Sequence, residues 1–245
     1  MILRNILFAC LIISIVSCKS STSESSGEAQ EEKVVTEGVC VYNYSKYGLP
    51  LYSDMASLKK SVASIKLGEK VKTLGESAID SVKNKNYIKV ELSDGTIGWC
   101  REAYIISDAK PAAIIAATPV YDRPDILTKS TSKKYDEINF TAVTETKDDW
   151  IKVAGINSTN KGWIKKESVS FSEEDIAMAI LARKEIFNEK GNLIEDKLGE
   201  FLVNAPFKNS VIVEKLRTHL EEKEAKSGEE IPENILDEPV ADTVQ

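Results

Sequence analysis

The feature that most constrains this chain is that its middle is written twice. Leu49-Pro50-Leu51-Tyr52-Ser53-Asp54 matches Thr118-Pro119-Val120-Tyr121-Asp122-Arg123, Tyr87-Ile88-Lys89-Val90 matches Trp150-Ile151-Lys152-Val153, and Gly98-Trp99-Cys100 matches Gly162-Trp163-Ile164. The three offsets are 69, 63 and 64 residues. A near-constant offset across separate blocks marks a tandem repeat of about 65 residues. Two copies of one small module must therefore fold side by side.

Each copy reads as all-β. Val39-Cys40-Val41-Tyr42 is a strand-like run, and Lys70-Val71-Lys72-Thr73-Leu74 alternates with period two behind the turn residues Leu67-Gly68-Glu69. Tyr87–Leu92, Ser93-Asp94-Gly95 and Thr96–Arg101 form a hairpin signature, because Asp-Gly accepts the positive φ angles of a tight turn. In the second copy the strands Trp150–Ala154 and Gly162–Lys165 are joined by a longer polar loop, Gly155–Lys161. Pro119 and Pro124 punctuate the early part of that copy, where a central strand would not tolerate them.

The order of these blocks resembles the bacterial SH3-like (SH3b) family. In the first copy the matching residues are Leu49-Pro50-Leu51, Leu67-Gly68-Glu69-Lys70-Val71, Tyr87-Ile88-Lys89-Val90, Gly98-Trp99-Cys100 and Ala103-Tyr104-Ile105. In the second they are Thr118-Pro119-Val120, Trp150-Ile151-Lys152-Val153, Gly162-Trp163-Ile164 and Glu167-Ser168-Val169. The first copy departs from the pattern with Tyr87 at the usual Trp and Cys100 at the usual Val. The second lacks the closing Tyr. The resemblance implies two tandem SH3-like β-barrels, residues 38–107 and 110–170; with a small α-helical region read over 172–225, the expectation is a mainly β protein with some α.

The helical expectation comes from the residues themselves. Ser172-Glu173-Glu174-Asp175 reads as a capped start with acids where the helix dipole favours them. Ile176, Ile180, Arg183 and Phe187 follow at helical spacing. A short helix is expected over Leu193–Val203, and another over Ser210–Lys223 with Val213, Leu216 and Leu220 on one stripe. Residues 226–245 read as a disordered acidic tail, since Ser227–Gln245 holds six acids, two prolines and no base.

The N-terminus reads as an address. Residues 1–17 have a single base, Arg4, and an apolar run of 11 residues, Ile6–Val16, broken only by Ser14. That is too short to cross a bilayer, which takes about 20 residues, and it suits a signal peptide. Ile15-Val16-Ser17-Cys18 resembles the lipobox of bacterial lipoproteins, in the relaxed form of spirochaetes. The resemblance implies lipidation of Cys18 and a place in the bacterial cell envelope, anchored by lipid to a membrane, the outer membrane being the expected one. Two or three acyl chains hold a protein stably, at about 0.8 kcal/mol per buried methylene. Residues 18–37 then form a disordered tether: Lys19–Glu37 contains five Ser and five Glu.

Charge and composition exclude several functions. Acids outnumber bases 39 to 32, giving net −7, so the basic footprint of a nucleic-acid binder is absent. The chain has one histidine, His219, which removes most nucleophilic triads and starves metal sites of their commonest ligand. No zinc spacing, phosphate-binding glycine loop or nucleophile elbow occurs, so the expectation is a protein without catalytic residues, metal or cofactor.

What remains is binding. SH3-like modules take extended peptides on aromatic grooves, so the resemblance implies ligand-binding roles for Tyr42, Tyr44, Tyr47, Tyr52, Trp99, Tyr104, Tyr121 and Trp163, against the alternative that the tryptophans are half-core strand residues. Peptidoglycan or its stem peptides are the first ligand class. A surface adhesin for host proteins and a structural subunit docking through residues 172–225 are the alternatives. Cys40 and Cys100 lie on strands that the SH3-like fold makes neighbours, which leaves open a disulfide or two buried thiols.

Overall fold

The structure is a computed structural model and describes residues 35–188 and 190–228. The signal peptide, Cys18, most of the tether and the tail beyond 228 lie outside the described residues.

Among the described residues, fourteen strands form two sheets. The first comprises β1 (Thr36–Cys40), β2 (Leu49–Tyr52), β3 (Ser61–Ile65), β4 (Lys70–Asp80), β5 (Lys85–Glu91), β6 (Ile97–Arg101) and β7 (Ile105–Ser107). The second comprises β8 (Lys110–Ile114), β9 (Thr118–Tyr121), β10 (Lys129–Tyr135), β11 (Asn139–Lys147), β12 (Trp150–Gly155), β13 (Gly162–Lys165) and β14 (Val169–Ser170). Their orders are β3-β2-β6-β5-β4-β1-β7 and β10-β9-β13-β12-β11-β8-β14. Adding seven to each strand number of the first gives the second, so the repeat in sequence is a repeat in topology. All neighbouring strands are antiparallel. Both sheets are open, with the outermost strands not paired to one another.

The repeated Gly-Trp step has a steric origin. A Cβ on Gly98 would sit 2.6 Å from the Tyr52 carbonyl oxygen, and one on Gly162 would sit 2.4 Å from Val120 Cγ1. Only glycine lets β6 and β13 come this close to β2 and β9. The tryptophan that follows is thereby set opposite the tyrosine, Trp99 against Tyr52 and Trp163 against Tyr121. The hairpin at Ser93-Asp94-Gly95 forms as a three-residue loop in which Gly95 alone takes positive φ, at 83°, while the Asp94 carboxylate accepts the Thr96 N–H at 2.8 Å.

The two sheets do not stand alone. Period-two alternation sends Cys40 into the core of the first sheet with Leu49, Leu51, Val90 and Cys100, and Ala112 and Ile114 into that of the second with Val120, Ile151 and Ile164. Val39, Val41, Ala113, Phe140 and Ala142 turn the other way, into a third core filled by helical residues. Those come from α1 (Glu173–Glu185), α2 (Leu198–Asn204) and α3 (Val211–Gly228), among them Met178, Ala182, Leu198, Ile212 and Leu216, all essentially fully buried. The apolar helix stripe that an external partner would need is thus taken up mostly within the chain.

Several boundaries differ from the sequence reading. The tether was expected to reach 37, but β1 begins at Thr36, whose N–H and hydroxyl meet Thr73 Oγ1 at 3.2 and 2.9 Å. The tail was expected from 226, but α3 continues to Gly228. The helix expected over Leu193–Val203 is a 3-10 turn, Glu195–Lys197, running into α2. Ser172 precedes α1 as expected, yet its side chain makes no capping bond. The first turn is instead organised by Asp175, which is buried and accepts from Ser210 Oγ at 2.7 Å and Val211 N at 2.8 Å, as well as bonding Ser170 Oγ. One carboxylate therefore ties the start of α1 to the start of α3.

Candidate functional site

Five of the eight aromatic residues singled out in the sequence, Tyr42, Tyr44, Tyr52, Trp99 and Tyr104, come together on the first repeat. Alternation that sends Val90 and Cys100 inward sends Tyr87, Lys89, Trp99 and Arg101 to the opposite face. Cross-strand register places Lys89 beside Trp99 and Tyr87 beside Arg101. Tyr52 joins them, edge-on to Tyr87 at 6.4 Å between ring centroids, and the Lys89 ammonium lies 5.8 Å from the Trp99 ring and 3.3 Å from Glu76.

The layer continues into a triad. Tyr42, Tyr44 and Tyr104 meet edge to face, with centroids 4.9 Å apart for Tyr42–Tyr104, 5.7 Å for Tyr42–Tyr44 and 5.8 Å for Tyr44–Tyr104. Such contacts contribute about 0.5–1.5 kcal/mol each beyond area burial. The Arg101 guanidinium sits 5.5 Å from the Tyr104 ring. Its Nε is buried and has no hydrogen-bond partner among the described residues. Burial pushes the Tyr42 phenol up, and the nearby phenols of Tyr104 and Tyr52 add to this while Arg101 opposes it. Tyr87 is pushed up by burial and by Tyr52. Tyr44 is 65% exposed, so the triad has an open side.

The second sheet repeats the layer but not the triad. Tyr121 stands edge-on to Trp150 at 4.9 Å, Lys165 covers Trp150 at 4.0 Å, and Lys152 lies 5.9 Å from Trp163 and 3.6 Å from Glu145. Tyr121, Trp150, Trp163, Lys165, Lys152 and Glu145 thus answer Tyr52, Tyr87, Trp99, Arg101, Lys89 and Glu76. Where the first sheet has Tyr104, the second has Ser168.

The sequence-derived set divides accordingly. Tyr42, Tyr44, Tyr52, Trp99 and Tyr104 come together. Tyr47 stands apart from these ring contacts, exposed, with Lys46 over its ring at 5.2 Å. Trp163 is 7% exposed, packed between β9 and β12, which makes it a layer residue rather than an open surface. Tyr87, Lys89 and Arg101 belong to the layer and were not singled out; their equivalence to Trp150, Lys152 and Lys165 was the available signal.

Cys40 and Cys100 are both fully buried free thiols in one core, the second of the two alternatives that the sequence left open. Burial pushes the Cys40 thiol up to about 12 and raises that of Cys100 as well, with Cys40 adding to it. His219 bonds Glu195 at 3.0 Å on the helical surface, far in role from any nucleophile. No group of three metal-ligating side chains is assembled among the described residues, and none of their helices is long and apolar enough to cross a membrane.

No protein-family model and no curated protein matches the chain. Among solved structures it is similar to NlpC2 from Trichomonas vaginalis, at 11% identity and TM-score 0.26, over 58% of this chain and 50% of that one. It is also similar to NlpC1 from Trichomonas vaginalis, at 12% identity and TM-score 0.25, over 65% of this chain and 56% of that one. The chain thus spans about half the length of these structures. With TM-scores this low, nothing about its function follows from either.

Proposed function

We propose that this chain is a non-catalytic, lipid-anchored binding protein of a bacterial cell envelope, whose two sheets are SH3b modules and whose first module holds a peptide of the cell wall. The lipobox-like Ile15-Val16-Ser17-Cys18 supports the anchor, and the ordered SH3b-like blocks support the module. The observation that carries the binding reading is the Tyr42–Tyr44–Tyr104 triad with Arg101 beside it. Flat rings give a peptide apolar contact at little conformational cost, and a guanidinium gives a carboxylate its fork of donors. The second module keeps the packed layer and lacks the triad, so the open aromatic surface of the first is not required by the fold alone.

The test is co-sedimentation of the chain from residue 18, carrying C18S, with purified cell-wall sacculi. Saturable pelleting is expected, with its loss in the variant Tyr44→Ala/Tyr104→Ala, which still melts cooperatively although at a lower temperature because the ring contacts are gone. No pelleting, or pelleting that the variant keeps, overturns this reading.

A further inference from the structure

A cavity beside the tyrosine triad lies where three parts of the chain meet: the exit of β1, the Gly155–Lys161 loop and the C-terminal half of α1. Its volume is about 670 Å³, within the roughly 300–1,000 Å³ of small-molecule sites. Its lining is chemically one-sided. Among the described residues it includes the cations Lys46, Arg183 and Lys184 and no Asp or Glu, in a chain of net charge −7.

Three amides of the lining lean the same way, while Asn160 donates its NH2 to the Lys134 carbonyl at 3.3 Å. Asn139, Asn157 and Asn188 each use the side-chain oxygen to accept backbone N–H groups, from Phe140 at 3.0 Å, Asn43 at 2.7 Å, and Lys190 and Asn192 at 2.9 and 3.0 Å. What each amide chiefly has left to offer is its NH2, a donor. Arg183 is anchored by carbonyls rather than by a carboxylate: Nε donates to Ile138 O at 2.6 Å and Nη2 to Glu137 O at 3.0 Å, while its plane lies 4.3 Å from the Phe187 ring. Among the described residues no carboxylate pairs with it directly. The carboxylate that acts on it, Asp136, is itself paired with Lys134 at 3.0 Å.

The walls are held in place by costly backbone. Asn157, Ser158 and Asn160 have φ of 56°, 59° and 48°. Left-handed conformations at non-glycine residues cost on the order of 1 kcal/mol each and persist where surroundings over-determine them. Here Asn157 N bonds Val41 O at 2.6 Å and Ser158 Oγ bonds Ala103 O at 2.5 Å, which fixes the loop against the first sheet. The cleft is thus pre-formed and donor-rich, its described lining holds no acid, and Tyr44 is part of it.

We infer that this cleft is a second binding site, taking a saccharide-sized ligand that carries carboxylate or phosphate groups. Cations and amide donors meet the anionic and hydroxyl oxygens, and the ring offers a flat face. The inference goes beyond the wall-peptide reading; the two sites share Tyr44 and otherwise use different side chains.

The test is calorimetric titration of the chain from residue 18 (C18S) with trigalacturonate, glucose 6-phosphate and neutral maltotriose. Binding of an anionic probe is expected, weakened about tenfold or more in Lys46→Glu/Lys184→Glu, whose exposed positions leave the melting temperature unchanged, and retained in Tyr104→Ala. Trigalacturonate alone assigns carboxylate, and glucose 6-phosphate alone assigns phosphate. Absence of binding by both anions up to about 10 mM, equal binding of maltotriose, or indifference to the charge reversal overturns the inference. Because Tyr44 lines both sites, the sacculus assay is also run with Tyr104→Ala and with Lys46→Glu/Lys184→Glu: pelleting lost only in the first reads the triad, and pelleting lost only in the second reads the cleft.

Discussion

The Asn157 N–H donates to the Val41 carbonyl at 2.6 Å, and the Asn157 side-chain oxygen accepts the Asn43 N–H at 2.7 Å. One residue of the second sheet's loop thereby continues the hydrogen bonding of the first sheet past the end of β1. Together with Val39 and Val41 in the helical core, this makes the two repeats one cooperative body.

Asn157→Ala should therefore weaken both sheets at once. It removes the side-chain acceptor and places a Cβ-bearing residue without local hydrogen bonding at positive φ. A loss of about 1–3 kcal/mol is expected. Urea unfolding should show a single transition shifted to lower denaturant. Two separate transitions, with only one shifted, would mean that the repeats unfold independently.

The buried carboxylate of Asp175 gives a second prediction. Asp175→Ala leaves Ser210 Oγ and Val211 N without their partner, inside a core. The cost should be about 2–4 kcal/mol, with Asp175→Asn recovering part of it because the amide oxygen can still accept. Thermal melts followed at 222 nm check this, and an unchanged melting temperature in Asp175→Ala would show that the α1–α3 tie contributes nothing.

These two ties also mark where the sequence stopped being legible. Period-two alternation and the repeated Gly-Trp step were readable, because each is a local consequence of pleat and close approach. The rings Tyr42, Tyr44 and Tyr104 were readable as aromatic but not as a triad, since their meeting depends on β7 returning beside β1. Arg101 and Tyr87 were hidden because a strand residue's outward face is ordinary until its cross-strand neighbours are known. The capping role given to Ser172 belongs in effect to Asp175, whose partners lie 35 and 36 residues away. The polar loop Gly155–Lys161 looked like a plain connector, since its bonds to Val41 and Ala103 join different repeats.

The thiols predict a clear chemical contrast. With both buried and raised by burial, Cys40 and Cys100 hold little thiolate at neutral pH and admit little reagent. In the C18S chain from residue 18, a disulfide-type reagent should find almost no reactive thiol in the native state and two after denaturation. Fast native labelling would contradict the packing of the first core, and none after denaturation would mean that the two are bonded.

The close approach behind the Gly-Trp step can be tested at both copies. Gly98→Ala puts a methyl group 2.6 Å from the Tyr52 carbonyl oxygen, and Gly162→Ala puts one 2.4 Å from Val120 at φ 157°. Backbone must yield at each, so about 1–3 kcal/mol should be lost per site. Because Trp99 and Trp163 move with these strands, indole fluorescence should change as well. Wild-type stability in either variant would remove the steric account of the motif.

Alkali should unfold the second sheet through Tyr135. Its phenol is buried in the second core, donates to Asn160 O at 3.1 Å, and is pushed from its ordinary value near 10 up to about 12, chiefly by burial. A raised folded-state pKa means that folding favours the protonated phenol. The stabilisation is then full below pH about 10 and is lost as pH rises through about 12. Tyr135→Phe keeps the ring and removes the ionisation. Unfolding followed by far-ultraviolet dichroism should therefore begin at higher pH in the variant, although the lost bond to Asn160 lowers its stability slightly at pH 7. Coincident alkaline transitions in the two proteins would show that ionisation of Tyr135 is not what opens the sheet.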